Sequence, residues 1–100
     1  MDLLFKGGKV ITAKGSYKAD VAVKNGKITA IATSLKPGKD TEVVDAKGKY
    51  ILPGAIDGHT HLAMPFGGTI ATDDYFTGTR AAACGGTTTV FDFVLQAPDE

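Results

Sequence analysis

Two histidines, His59 and His61, stand one residue apart in the stretch DGHTHLAMPFGG, and they are the only histidines of the chain. Imidazole nitrogen is a common zinc ligand, and two imidazoles at positions i and i+2 can meet one ion when the backbone between them is extended. In a strand side chains alternate, so Asp57, His59 and His61 share one face while Ile56, Gly58 and Thr60 share the other. Asp57, one step deeper on the histidine face, can accept a proton from an imidazole N–H and fix the ligating tautomer. Taken alone, His-x-His also suits two ordinary packed side chains. Placement at a strand end, beside the glycine-rich loop MPFGGT, favours ligation. Catalytic zinc takes three protein ligands and keeps one position open, so at least one ligand must come from elsewhere, and nothing in residues 1 to 56 looks suitable.

The histidines need elements to hold them. AIDGHTHLAM reads as a strand, and TDDYFTGTRAAACGG as a helix that Thr72 can cap. Asp73 and Asp74 favour the positive end of its dipole, and Gly85-Gly86 stops it. The run TTTVFDFVL, residues 87 to 95, is β-branched and aromatic apart from Asp92, which predicts a strand buried on both faces. Strand, helix and strand with short joints form a βαβ unit, whose strands are parallel and whose crossover is right-handed. His59 and His61 then lie at the C-terminal end of its first strand, the edge where α/β sheets and barrels place their chemistry.

The first half has another grammar. FKGGKVI, VKNGKIT and AKGKYI each place glycine between lysine-bearing flanks and β-rich runs, as short hairpins do. Asn25-Gly26 suits the positive φ angles of a two-residue type I′ turn, which predicts Val23 opposite Ile28 and Val21 opposite Ala30 on one buried face. Residues 1 to about 52 are thus expected to form a small antiparallel β unit with SLKPGKD as its longest loop and no catalytic constellation.

Composition limits the possible functions. Of the 100 residues, 43% are hydrophobic and 22% charged, ordinary values for a globular protein. The net charge of +0 hides an asymmetry: every lysine lies between Lys6 and Lys49, while Arg80 is the only cation after Pro53. This shift marks a boundary near Pro53-Gly54. No aromatic or arginine cluster interleaves with the lysines, so they read as a solvated surface and not a nucleic-acid patch. MDLLFKGGK lacks the apolar core of a signal peptide and no long apolar run follows, which predicts a cytoplasmic protein without a membrane partner. Cys84 has no second cysteine to pair with and reads as a small packing residue at a helix end.

These residues carry a resemblance. LPGAIDGHTHLAMPFGGT, DDYFTGTRAAACGGTTTVFDF and, more loosely, VVDAKGKYILPG resemble the N-terminal part of the amidohydrolase superfamily. HLAMPFGGT together with DFVLQ points to its dihydropyrimidinase and D-hydantoinase family. The implied fold is part of a β-sandwich over residues 1–53, followed over residues 54–100 by the first βαβ of an α/β (TIM-like) barrel, left incomplete. The implied activity is the opening of a dihydropyrimidine or hydantoin ring to an N-carbamoyl amino acid by a zinc-activated hydroxide. His59 and His61 would bind the more buried ion of a binuclear zinc site, and Met64 and Phe66 would lie in the substrate loop. The bridging carboxylated lysine, two further histidines and a catalytic aspartate of that family are expected beyond Glu100, since no lysine follows Lys49 and no third histidine exists. The chain by itself is expected to be inactive, and the full-length protein a homo-oligomer, commonly a tetramer. Two departures stand out: Ala63 where relatives commonly carry a polar residue, and Gly58 where they commonly carry proline. The first bears on substrate preference.

Other readings remain at this level. A dihydroorotase or allantoinase shares the strand motif but usually has a different loop after the histidines. A non-catalytic dihydropyrimidinase-related scaffold has no chemical use for both histidines. A β domain acting as a binding module would tolerate loss of residues 54 to 100.

Overall fold

The computed structural model describes residues 1–63, 65–66, 69–70 and 73–93. The chain divides into two compact units, Met1–Pro53 and Gly54–Glu100.

In the first unit, β1 (Leu3–Thr12), β2 (Gly15–Lys24) and β3 (Lys27–Ala32) form an antiparallel meander, and β4 (Glu42–Asp45) and β5 (Tyr50–Ile51) add to the free edge of β1. Both of these last strands run parallel to β1, so the unit is a mixed sheet and not the antiparallel one expected. Only one of the three glycine-lysine echoes is a hairpin. Asn25 (φ 51°) and Gly26 (φ 74°) make the turn between β2 and β3. Val23 faces Ile28 as expected, but Thr29 bulges out, so that Ala22 meets Ala30 and Val21 meets Ile31. Val21 is buried whereas Ile28 is exposed, so the expected shared buried face does not form.

FKGGKVI, in turn, lies within β1. The register jumps between Phe5 and Gly8, leaving Lys6 and Gly7 opposite Asp20 alone. Gly7 takes φ 79°, which glycine adopts without a Cβ penalty. The Asp20 carboxylate fills the bulge, accepting from the Gly7 amide at 2.8 Å, the Leu35 amide at 2.9 Å and the Lys6 ammonium at 2.9 Å. Asp20 is only 3% exposed, and the Lys6 hydrogen bond, then those from the Leu35 and Gly7 amides, outweigh burial and lower its pKa to about 2. Val10, Ala19 and Val21 form the core beside it, with Phe5 and Ile51 packed against them.

In the second unit, β6 (Ala55–Thr60) and β9 (Thr87–Asp92) pair in parallel, with α1 (Tyr75–Cys84) between them in sequence. Two short strands, β7 (Pro65–Phe66) and β8 (Thr69–Ile70), form an antiparallel pair before the helix. The N-cap of α1 is Asp74, not Thr72, which lies outside the described residues. Asp74 wins because Thr77 stands three residues on: the carboxylate accepts from the Thr77 amide at 2.7 Å while Thr77 Oγ1 accepts from the Asp74 amide at 3.1 Å. Gly85 caps the other end as expected. β9 is shorter than the apolar run, and Val94 and Leu95 lie outside the described residues. Phe91 and Phe93 are exposed, so the expected burial of this strand on both faces does not hold for them. Cys84 is exposed as well, at the helix end but not packed.

Candidate metal centre

His59 lies in β6 and His61 just past its last residue, Thr60, and the two rings meet. His59 Nε2 and His61 Nε2 lie 3.1 Å apart. Two nitrogens bound about 2.0–2.1 Å from a tetrahedral zinc stand roughly 3.3 Å from each other, so the pair has the separation that one ion requires. Among the described residues no third histidine, cysteine or carboxylate joins them to make a set of three. The arrangement fits two ligands of a site and not a finished one.

Hydrogen bonding fixes the tautomer of one ring. His61 Nδ1 lies 2.9 Å from the carbonyl oxygen of Phe93. A carbonyl only accepts, so Nδ1 carries the proton and Nε2 of the neutral ring presents a lone pair. His59 Nε2 then donates to that lone pair. The His59 ring stacks on Phe93 with centroids 4.3 Å apart and planes 24° apart, and meets His61 edge-on at 74°. Phe93 therefore touches both histidines, one through its carbonyl and one through its ring.

Asp57 sits two residues before His59 on the same strand, and its carboxylate accepts from the His59 backbone amide at 3.2 Å. Its contact is with the main chain of the histidine, and the imidazole proton of His61 goes to Phe93. Met64 lies outside the described residues; Phe66 lies in β7, paired through its backbone with Thr69.

Sequence reading overlooked a second group behind the histidines. The Asp92 carboxylate accepts from the Leu62 amide at 3.0 Å and from the Tyr75 hydroxyl at 2.5 Å. The Tyr75 hydrogen bond first, then the Leu62 amide and the nearby His61, hold the Asp92 carboxyl below its usual pKa, and the same bond pushes the Tyr75 hydroxyl up. The available signal was Asp92 itself, the one charge in a β-branched and aromatic strand. Nothing local marked Phe93, which reaches the histidines from just past the end of β9. Ala63, the departure noted above, has φ 52°, an unusual conformation for a residue with a Cβ, and its amide donates to the Asp73 carbonyl at 2.8 Å.

Comparison with known proteins places these motifs. The model of the amidohydrolase family matches residues 50–99. A D-hydantoinase of Geobacillus stearothermophilus is 52% identical over 100 residues, covering 100% of this chain and 21% of that protein. A D-hydantoinase of Streptomyces coelicolor is 50% identical over 98 residues, covering 94% of this chain and 21% of that one. The crystal structure of dihydropyrimidinase from Brevibacillus agri NCHU1002 superposes with a TM-score of 0.93 at 51% identity, covering 100% of this chain and 22% of that structure. The chain thus spans about a fifth of the length of the relatives it matches.

Proposed function

We propose a function from one premise: the chain belongs to the amidohydrolase family. Within the full-length protein that carries it, the chain contributes to hydrolysis of cyclic amides and imides, opening dihydropyrimidine or hydantoin rings to N-carbamoyl amino acids. The names of its relatives, D-hydantoinase and dihydropyrimidinase, support this substrate class. The observation that carries the reading is the 3.1 Å separation of the two Nε2 atoms, which suits two ligands on one zinc ion.

In this reading His59 and His61 hold one zinc of a binuclear site, Phe93 holds the tautomer of His61, and Asp57 holds the backbone of His59. When bound, the metal pair activates water and polarises the carbonyl under attack, which a neutral imide bond needs. The carboxylated lysine and remaining ligands belong to the rest of the full-length protein. Met64 and Phe66 belong to the loop that shapes the pocket for the ring's exocyclic group. The βαβ of β6, α1 and β9 serves as the first unit of a TIM-like barrel, and the mixed sheet of β1 to β5 as part of a β-sandwich. The assembly is a homo-oligomer, commonly a tetramer in this family.

The test is a substrate panel on the full-length protein: hydantoin, dihydrouracil, dihydroorotate and allantoin. Turnover of the first two, lost on chelation and restored by zinc, is the expected result. Preference for dihydroorotate or allantoin would replace this reading with a related cyclic amidohydrolase. A zinc-loaded protein that turns over none of the four would point to a scaffold.

A further inference from the structure

Asp92 is placed where a change in one side chain reaches both histidines. It closes the β6–β9 ladder opposite Thr60. Beyond that rung the chain carrying His61 has left the strand, and what holds it is a short set of individual bonds. The Thr60 carbonyl, just before His61, accepts from the Phe93 amide at 2.9 Å. The Leu62 amide, just after His61, donates to Asp92 Oδ1 at 3.0 Å. His61 is therefore pinned on both sides by residues 92 and 93, and its ring is pinned by the Phe93 carbonyl. Tyr75, the first residue of α1, donates to Asp92 Oδ2 and fixes the carboxylate from the other side.

Both oxygens of Asp92 are occupied, one by the Leu62 amide just after His61 and one by the Tyr75 hydroxyl at the start of α1, so the group is engaged as a clamp. We propose that Asp92, steadied by Tyr75, is a positioning residue that sets the spacing of His59 and His61 for a shared metal ion. Without the carboxylate the Leu62 amide loses its acceptor, the His61 backbone keeps only the Phe93–Thr60 bond on its other side, and the Phe93 carbonyl meets Nδ1 at a less fixed angle. The two Nε2 atoms then drift from the separation one ion demands. This inference rests on the zinc reading of the two histidines.

The experiment uses the full-length protein, with zinc affinity measured by chelator competition, the visible absorption of the cobalt(II)-substituted form, and the melting temperature of the metal-free form. Asp92→Ala is expected to bind zinc about 10–100-fold more weakly and to alter the cobalt bands, with the metal-free melting temperature unchanged. Asp92→Asn keeps an oxygen for the Leu62 amide and is expected to recover most of that affinity. Tyr75→Phe removes only the hydroxyl and is expected to weaken zinc about threefold, a result that decides the matter if the alanine variant does not fold. Parental zinc affinity and parental cobalt bands in Asp92→Ala, or in Tyr75→Phe if that is the variant available, would overturn the proposal. So would a lowered metal-free melting temperature with unchanged cobalt bands, the mark of a merely structural role. His59→Ala is the control for the underlying reading: if it binds metal as the parent does, the zinc assignment itself fails, whatever Asp92 does.

Discussion

The two units of this chain are held by different forces. Residues 1–53 close a small core, with Leu4, Val10, Ala19, Val21, Ala22 and Ala46 buried and a fully bonded Asp20 among them. Of residues 54–63 and 73–93 none is buried: Ile56 is 65% exposed, Phe76 72%, and α1 has no buried residue. Burial of apolar surface is the main favourable term in folding, at roughly 25 cal/mol per Å², and only the first unit gains it in quantity. The second holds its histidines through hydrogen bonds between strand ends. The candidate metal ligands thus sit on the unit that buries less apolar surface.

Amide exchange on the 100-residue chain tests the contrast most strongly. The amides of Ala19 and Val21 are expected to exchange at least about a thousandfold more slowly than that of Val90, because opening β9 exposes little that was buried. Equal protection in β2 and β9 would end the comparison.

Next in size is Asp20→Ala, which strands the Gly7 and Leu35 amides and the Lys6 ammonium in the bulge. A loss of about 3 kcal/mol, read by urea denaturation of the first unit, is expected; a loss below about 1 kcal/mol would show that the bulge stands without its carboxylate.

The same residue gives the first unit an acid response. The Asp20 carboxyl is at about 2 in the folded chain and near 3.8 without its partners, so its contribution is fully present above pH 4 and is lost as the pH falls toward 2. About 2 kcal/mol of stability should disappear across that window in the parent and not in Asp20→Asn, as followed by denaturation at stepped pH.

The smallest effect belongs to the second unit. Ala63→Gly removes the Cβ from a residue at φ 52° and is expected to stabilise by about 0.5–1 kcal/mol, measurable as a raised melting temperature of the full-length protein. A lowered melting temperature would mean that the methyl group packs in the assembled molecule.

How far the sequence carried depended on whether a feature is local. The Asn25-Gly26 hairpin was legible because two positive φ angles in succession are a demand on those two residues alone. Its register was not, since the Thr29 bulge depends on how β3 lies against β2. The parallel pairing of β4 and β5 with β1 joins residues some forty positions apart, and glycine beside lysine marked a bulge in β1 where a turn was expected. The convergence of His59 and His61 was legible because strand alternation brings i and i+2 together without help. Phe93 and Tyr75 were not, because each reaches the site from a distant part of the chain; for Asp92, an isolated charge in a β-branched and aromatic strand was a hint without an address.

The central claim is that His59 and His61 share one metal ion. The most direct measurement is anomalous X-ray diffraction at the zinc edge on crystals of the full-length protein, refined together with a His59→Ala, His61→Ala double variant. The account predicts an anomalous peak within about 2.1 Å of both Nε2 atoms in the parent and its loss in the double variant. A zinc-replete parent crystal whose peaks all lie away from these two nitrogens would contradict it.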